Sequence, residues 1–232
     1  MIAVSQWIAD KITARYPACR SRVKVVLNGV DVKRFDSDVH AEAGAFLRAS
    51  WGLEEPLLGL LSAHHPVLKG AETAVRALAE PAVRDLKRPF VLVVAGGRLP
   101  SRLHGLARSL GVADRVREVG LFEHSDPLYA ACDLLVHPTY YDPCSLVCLE
   151  ALSMGLPIIT TPEGGIREVL GQRGGIVVEE AGNPEALATA IRVLADDEMR
   201  QFSSDDARYL ALRNRESTRL DAVLDLCRSR VT

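Results

Sequence analysis

Glu150 is the side chain whose surroundings most strongly suggest chemistry. It is the only charged residue between Asp142 and Glu163, and it lies in a segment, residues 146–154, that is otherwise almost entirely apolar. A helix that is apolar all round is buried, and a carboxylate on it must be paired, hydrogen-bonded or open to a cleft that holds a ligand. The residues alone leave two interpretations open: a structural carboxylate that bonds a backbone turn, and a ligand-binding group.

The elements around Glu150 follow from local chemistry. Residues 134–137 form a short apolar run before a proline, which predicts a buried strand. Ser145 is a good N-cap, so a helix is expected over residues 146–154, ended by a glycine. Residues 158–161 then predict the next strand. The loop at 139–144 therefore leads into the N-terminus of a helix.

A longer pattern surrounds this helix. Seven residues separate Asp142 from Glu150, and Ala-Leu-x-x-Gly-Leu-Pro-Ile-Ile-Thr-Thr follows, and then Gly164-Gly165-x-x-Glu168. This pattern resembles the donor-site signature of retaining glycosyltransferases of family 4, although many members carry Glu where this chain has Asp142. Such enzymes have the GT-B architecture, in which two Rossmann-like halves face each other. The acceptor usually binds the first half and the nucleotide sugar the second.

The resemblance implies that this chain is the second, donor-binding half, with the N-terminal acceptor domain absent. The opening Val4-Ser5 and the run Asn28-Gly29-Val30-Asp31-x-x-x-Phe35 resemble the start of that half. In the family this region acts mostly as hinge and packing, so Asn28 is not expected to be catalytic. Taken alone, Asn-Gly indicates a tight turn.

Lys69 is the candidate phosphate ligand. A lysine just before a predicted helix opposes the helix dipole unless a phosphate lies between them. The alternative is an exposed lysine beside a flexible glycine, but the family places a diphosphate-binding Lys-Gly here. Members usually also carry an arginine near position 63 or 67, where this chain has Ala63 and Val67. Phosphate charge would then depend on Lys69 and on the backbone amides of Cys144, Ser145 and Leu146.

The resemblance also assigns the other groups of the site. Glu150 would accept hydrogen bonds from both ribose hydroxyls, and Asp142 would hold hydroxyls of the transferred sugar. Lys69 and Asp142 are thus the expected catalytic residues. Glu168 is either a brace for its loop or a ligand contact. The remaining donor-binding predictions are the turn residues Gly96 and Arg98, Phe122 near the base, and Gly164 and Gly165, which would close the pocket.

Strands alternate with helices along the chain, which predicts an α/β fold with a Rossmann-like parallel sheet and helices on both faces. Residues 1–182 would form this nucleotide-sugar-binding domain, and residues 183–232 would form C-terminal helices packed on it. A β-branched run at 23–27 precedes the main strand candidates, which are residues 57–61, 90–95, 116–119, 134–137, 158–161 and 175–178. The helix candidates are residues 6–16, 70–78, 101–110, 125–131, 146–154, 166–170, 184–195 and 198–228.

Composition excludes several classes of protein. The formal net charge is −2, so neither nucleic acid nor bulk membrane attachment is favoured, although peripheral association of the full enzyme with a membrane is left open. The five cysteines have no CxxC spacing and are interpreted as small buried hydrophobes rather than as a site with His137. We expect a reduced, cytoplasmic protein that uses no metal and no cofactor, with UDP favoured as the nucleotide.

The preferred interpretation is transfer of a hexose from a nucleoside-diphosphate sugar to a glycan or lipid-linked acceptor, as in polysaccharide or lipopolysaccharide assembly. The isolated chain would then bind nucleotide but transfer little or no sugar. The main alternative is a non-catalytic Rossmann-type binding module. A hydrolase that uses Asp142 and Glu150 would need the two carboxyls at a defined spacing. A nicotinamide dehydrogenase lacks its Gly-x-Gly-x-x-Gly motif.

Overall fold

The structure is a computed structural model that describes residues 1–171 and 174–228. Its strands, in chain order, are β1 (Ile2–Ala3), β2 (Lys24–Val25), β3 (Leu57–Ser62), β4 (Phe90–Ala95), β5 (Val116–Gly120), β6 (Leu134–His137), β7 (Ile158–Thr160) and β8 (Gly175–Val177). Strands β1 and β2 form a small parallel pair. The main sheet of the described residues has six parallel strands in the order β5-β4-β3-β6-β7-β8.

Helices flank this sheet on both faces. The helices of the described residues are α1 (Gln6–Arg15), α2 (Ser37–Trp51), α3 (Ala71–Ala77), α4 (Pro81–Arg84), α5 (Ser101–Ser109), α6 (Asp126–Ala130), α7 (Leu146–Ser153), α8 (Arg167–Leu170), α9 (Pro184–Leu194), α10 (Asp197–Arg213) and α11 (Glu216–Arg228). Two short 3-10 segments lie at Pro17–Arg22 and Ala113–Arg115. The predicted α/β class, with a parallel sheet between helical layers, is confirmed.

The strand order reverses beside β3. The chain runs outward from β3 through β4 to β5, and then returns to place β6 on the other side of β3. In an open parallel sheet a crevice forms outside the carboxyl ends of the strands at such a switch point, and ligands bind there. The segments that follow β3 and β6 therefore meet at this crevice.

The central strands are buried on both faces because helices cover both. Leu57 and Leu61 face one layer, with α3, α5 and α9, whereas Leu58 and Leu60 face the other, with α6, α7 and α10. Side chains alternate between the faces of a strand, so a strand covered on both sides must be continuously apolar. This requirement is why the apolar runs of the sequence predicted the strands correctly.

Helix α2 was not predicted from the sequence. It carries both end signals, since Asp36 accepts a hydrogen bond from the Asp38 amide and Gly52 adopts a left-handed conformation at the C-terminus. Gly44 weakens its helical pattern. A Cβ at Gly44 would lie 2.6 Å from the carbonyl carbon of Ala130, so the glycine allows α2 to pack closely on α6.

The prediction of one long helix over residues 198–228 was wrong, because the chain breaks between α10 and α11. At the break the Val30 amide donates to the Asn214 carbonyl at 3.1 Å, and the Glu216 amide donates to the Val30 carbonyl at 2.9 Å. These bonds to a distant segment replace intrahelical ones. Within the β-branched run at 23–27, only Lys24–Val25 pairs with β1.

The C-terminal helices differ in how they contact the sheet domain. Helix α9 packs on α3 and α4, and α10 packs on α7. By contrast, α11 has no buried residue among those described. None of the helices in the described ranges combines the length and the apolar character needed to cross a bilayer.

Glu168 braces the start of helix α1. Its two carboxylate oxygens accept hydrogen bonds from the amides of Gln6 and Trp7, each at 2.7 Å, while the Ser5 hydroxyl accepts from the Ile8 amide. A carboxylate at a helix N-terminus satisfies orphan amides and interacts favourably with the helix dipole. Glu168 is thus a brace, although for the start of α1 rather than for its own loop.

We predict that Glu168→Ala lowers the free energy of unfolding by about 1–3 kcal/mol, because two amides lose a charged acceptor. Glu168→Gln, which keeps one acceptor oxygen, should cost less. Urea denaturation measures both changes. Glu180→Ala, at an exposed position, is the control and should change stability by less than about 0.5 kcal/mol. An equal effect at both positions would contradict the bracing role.

Candidate functional site

The segments after β3 and β6 are joined at the crevice. The Tyr140 amide donates to the Leu68 carbonyl at 2.9 Å, and the Thr139 hydroxyl donates to the same oxygen at 3.1 Å. Gly70 permits this approach: its φ is +70°, and a Cβ there would lie 2.0 Å from the Pro138 carbonyl oxygen. The glycine after Lys69 is therefore required by packing, and Lys69 is held beside the 139–144 loop.

Lys69 and Asp142, predicted separately as phosphate and sugar ligands, form an ion pair. The Lys69 ammonium donates to Asp142 Oδ2 at 2.5 Å, and their side chains are only 18% and 8% exposed. His137 Nε2 lies 3.1 Å from the same oxygen. Sequence reasoning missed this pairing and the part of His137 in it, because the three residues come from two strand ends that only the fold brings together.

The environment fixes the ionisation of this cluster. Burial raises the pKa of Asp142, but hydrogen bonds from His137 and Lys69 outweigh that effect and bring the pKa from 3.8 to about 2. Burial lowers the pKa of His137, partly offset by the hydrogen bond with Asp142. Asp142 is therefore ionised and His137 neutral at neutral pH.

The loop that carries Asp142 is held through its carbonyl groups. Asp142 O accepts from the Gly165 amide at 2.8 Å, Pro143 O from the Ser5 hydroxyl at 2.7 Å, and Cys144 O from the Asn28 side chain at 3.0 Å. A Cβ at Gly165 would lie 1.9 Å from Pro143 O, so only glycine fits there. Three distant segments thus fix the conformation of the loop before α7.

The start of α7 leaves donors available at the crevice. The first amides of any α-helix have no intrahelical acceptor, and the Ser145 side chain makes no capping hydrogen bond here. Ser145 and Cys144 are buried, whereas Leu146 is 52% exposed. The binding of phosphate by the amides of residues 144–146 stays a prediction.

Glu150 lies half-buried on α7 and accepts a hydrogen bond from the Tyr129 hydroxyl at 2.6 Å. Among the described residues, Glu150 thus bonds the Tyr129 side chain. The structural interpretation had expected it to bond a backbone turn instead. Burial and the negative charge of Glu150 raise the pKa of Tyr129, so the phenol remains a donor. A tyrosine in a predicted helix gave no signal of this contact.

The other predicted contacts are more scattered. Gly96, with φ +89°, packs against His64, and Arg98 is exposed. Phe122 lines a groove with apolar residues of α2, including Val39 and Phe46. Gly164 lies directly beside the Asp142 loop, with which it forms an isolated parallel bridge. The roles of these residues in donor binding remain predictions.

The described residues hold no group of side chains suited to binding a metal ion. Over residues 1–171 and 174–228, no three His, Cys, Asp or Glu side chains converge on a point where an ion could bind. Cys144 and Cys148 are buried thiols, and burial raises the pKa of each. The four buried cysteines match the prediction of small hydrophobes, whereas Cys227 on α11 is exposed and does not.

The sheet order and the crevice define a Rossmann-like α/β domain of the kind from which GT-B enzymes are built. Residues 55–197 match the model of the family described as glycosyl transferases group 1, and the chain belongs to that family. D-inositol 3-phosphate glycosyltransferase of Salinispora arenicola is 32% identical over 223 residues, which cover 90% of this chain and 50% of that protein. Lipopolysaccharide glucosyltransferase WaaG of Escherichia coli is 32% identical over 145 residues, covering 62% and 38%.

Among solved structures, Anabaena HepE in complex with UDP-glucose superimposes with a TM-score of 0.85 and 23% identity, covering 98% of this chain and 63% of HepE. At that identity the similarity establishes the fold. The chain spans about half the length of the curated relatives it matches.

We predict that the Asp142 carboxylate stabilises the fold at neutral pH by about 2–3 kcal/mol, since its pKa falls from 3.8 to about 2 on folding. A depressed pKa contributes stability above the unfolded value, and this contribution is lost as pH falls through about 2. Asp142→Asn should therefore have a lower free energy of unfolding than the native chain near neutral pH. Near pH 2 the difference between the two should nearly vanish.

Denaturant unfolding of the native chain and the variant across this range measures the effect. Asp114→Asn, at an exposed position, is the matched control. A deficit that is the same at every pH would mean that Asp142 acts through its shape rather than its charge.

Proposed function

We propose that this chain is the donor-binding half of a retaining glycosyltransferase. It would bind a nucleoside-diphosphate hexose, with UDP as the favoured nucleotide, for transfer to a glycan or lipid-linked acceptor. The observation that carries the proposal is the convergence of Lys69, Asp142 and the start of α7 at the switch point of the sheet. The complex of HepE with UDP-glucose, on the same fold, supports the choice of nucleotide sugar.

The reaction would break the bond between the anomeric carbon and the diphosphate oxygen, with the electron pair leaving on the diphosphate. Lys69 and the first amides of α7 would stabilise the charge that develops there. Asp142 would accept hydrogen bonds from the sugar, and Glu150 from the ribose hydroxyls. A new bond would form from the acceptor oxygen, whose proton is taken by a group outside this chain.

The length of the chain, compared with its relatives, suggests which part of the enzyme it supplies. Because it covers about half of its curated relatives, we propose that an acceptor domain completes the site and that this chain alone transfers little or no sugar. The names of two relatives, an inositol phosphate glycosyltransferase and a lipopolysaccharide glucosyltransferase, are consistent with a hydroxyl on a polar or lipid-linked acceptor. A cytoplasmic location, with or without peripheral attachment to a membrane, fits this function.

A non-catalytic binding module is the second candidate. It is favoured by Ala63 and Val67 in place of the arginine usual in the family, and by the full engagement of Lys69 with Asp142. Titration with UDP, GDP and ADP, each with and without an attached hexose, tests both candidates. If none of them binds, both fail. If binding occurs, sugar transfer by the complete protein distinguishes an enzyme from a module.

We predict that Glu150→Gln weakens nucleoside and nucleotide binding by about 1–3 kcal/mol, because a charged acceptor for the ribose hydroxyls is lost. Isothermal titration calorimetry with uridine and UDP measures it. Glu180→Gln, at an exposed position, makes the same change and should bind as the native chain does. A loss of stability without a loss of binding would make Glu150 purely structural.

We predict that Lys69→Ala weakens UDP binding by about 1–3 kcal/mol but leaves uridine binding nearly unchanged, because the proposed ligand of this ammonium is the diphosphate, which uridine lacks. The same titrations measure both affinities. Lys87→Ala removes an exposed lysine and serves as the control. Equal losses for uridine and UDP would count against a phosphate role for Lys69.

A further inference from the structure

His137 is a buried polar residue that the proposed reaction leaves without a task. It is the last residue of β6, and its side chain is 1% exposed. Its Nε2 lies 3.1 Å from Asp142 Oδ2, while Nδ1 is buried and has no hydrogen-bond partner in the described part of the chain. A buried polar side chain with one specific partner needs an explanation.

The surroundings define which form of the imidazole is present. Burial keeps the ring neutral, and a neutral imidazole carries one N–H and one bare nitrogen. Because the Asp142 carboxylate only accepts, the proton must be on Nε2, and the bare Nδ1 is the atom left without a partner. His137 is therefore a fixed neutral donor aimed at Asp142.

The two donors to Asp142 differ in how they are held. Lys69 has a long flexible stem, and its side chain is 18% exposed. The His137 ring is enclosed, and its backbone is fixed in the sheet by its pairing with Thr160. If a diphosphate draws the ammonium of Lys69 away, a carboxylate held by Lys69 alone would lose its only hydrogen-bond donor and would no longer be held in position.

We propose that His137 is a positioning residue that holds the Asp142 carboxylate in place for the transferred sugar while Lys69 moves to the diphosphate. The inference rests on the proposed function, because it takes the sugar as the ligand of Asp142 and the diphosphate as the ligand of Lys69. Lys69 and His137 both donate to Asp142 Oδ2, and none of the described residues donates to Oδ1, which is therefore the oxygen left for a sugar hydroxyl. His137 itself touches neither ligand.

The test compares UDP and UDP-glucose binding to the 232-residue chain and its variants by calorimetry. His137→Leu removes the donor, so the ratio of the Kd for UDP-glucose to the Kd for UDP should rise about tenfold, with the Kd for UDP within about twofold of the native value. His137→Gln places an amide N–H near the position of Nε2 and should keep most of the native ratio. Asp142→Asn should raise the ratio as His137→Leu does.

Thermal unfolding shows whether each variant folds. If His137→Leu does not fold, His137→Asn replaces it, since the shorter amide does not reach Asp142 and the comparison with His137→Gln stays the same. If His137 is purely structural, His137→Leu will change stability but not the ratio of the two Kd values. If that ratio is unchanged in His137→Leu but raised in Asp142→Asn, the inference about His137 fails while the proposed function stands. If the native chain binds neither UDP nor UDP-glucose, the proposed function fails, and the inference fails with it.

Discussion

The conformation of the loop between β6 and α7 depends on hydrogen bonds to its carbonyl groups. Three successive carbonyls, of Asp142, Pro143 and Cys144, accept from Gly165, Ser5 and Asn28, which lie far apart in sequence. Buried carbonyls must find donors, so this loop has its shape only when the rest of the fold is in place. The shape in turn places Asp142 and the first turn of α7 at the crevice.

The charge balance of the crevice follows from this arrangement. A nearly buried carboxylate is tolerated because it is paired and hydrogen-bonded, here by Lys69 and His137. An anionic ligand must therefore compete with Asp142 for the ammonium of Lys69. Separating this pair costs free energy and so reduces the net binding free energy of the ligand. A ligand with several oxygens, which can also accept from the amides of α7, is therefore favoured.

The sequence was a good guide where a residue's neighbours in the chain decide its structure. Continuous apolar runs predicted the central strands because both faces are covered, and Ser145 and Gly155 mark the ends of α7. It failed where distant contacts decide. Gly44 disguised α2 because its packing on Ala130 is not visible locally, and the break before α11 depends on Val30.

The same distinction applies to the candidate site. Glu150 stood out as a charge in an apolar helix and Lys69 as a lysine before a helix, but the resemblance to the family was needed to assign their roles and to select Asp142. Their partners could not be predicted, because the Lys69–Asp142 pair and the contact of Tyr129 with Glu150 join residues from different strands and helices. Glu168 was left open between two interpretations for the same reason, since the amides that it accepts from, those of Gln6 and Trp7, are 162 and 161 residues away in sequence.

The contacts of Ser5 and Glu168 have a mechanical consequence. Ser5 bonds the Pro143 carbonyl, and Glu168, a few residues after the glycines that flank this loop, bonds the first turn of α1. Helix α1 is thereby coupled at two points to the rim of the crevice. A shift of α1 relative to the sheet would therefore either break these hydrogen bonds or move the loop that carries Asp142.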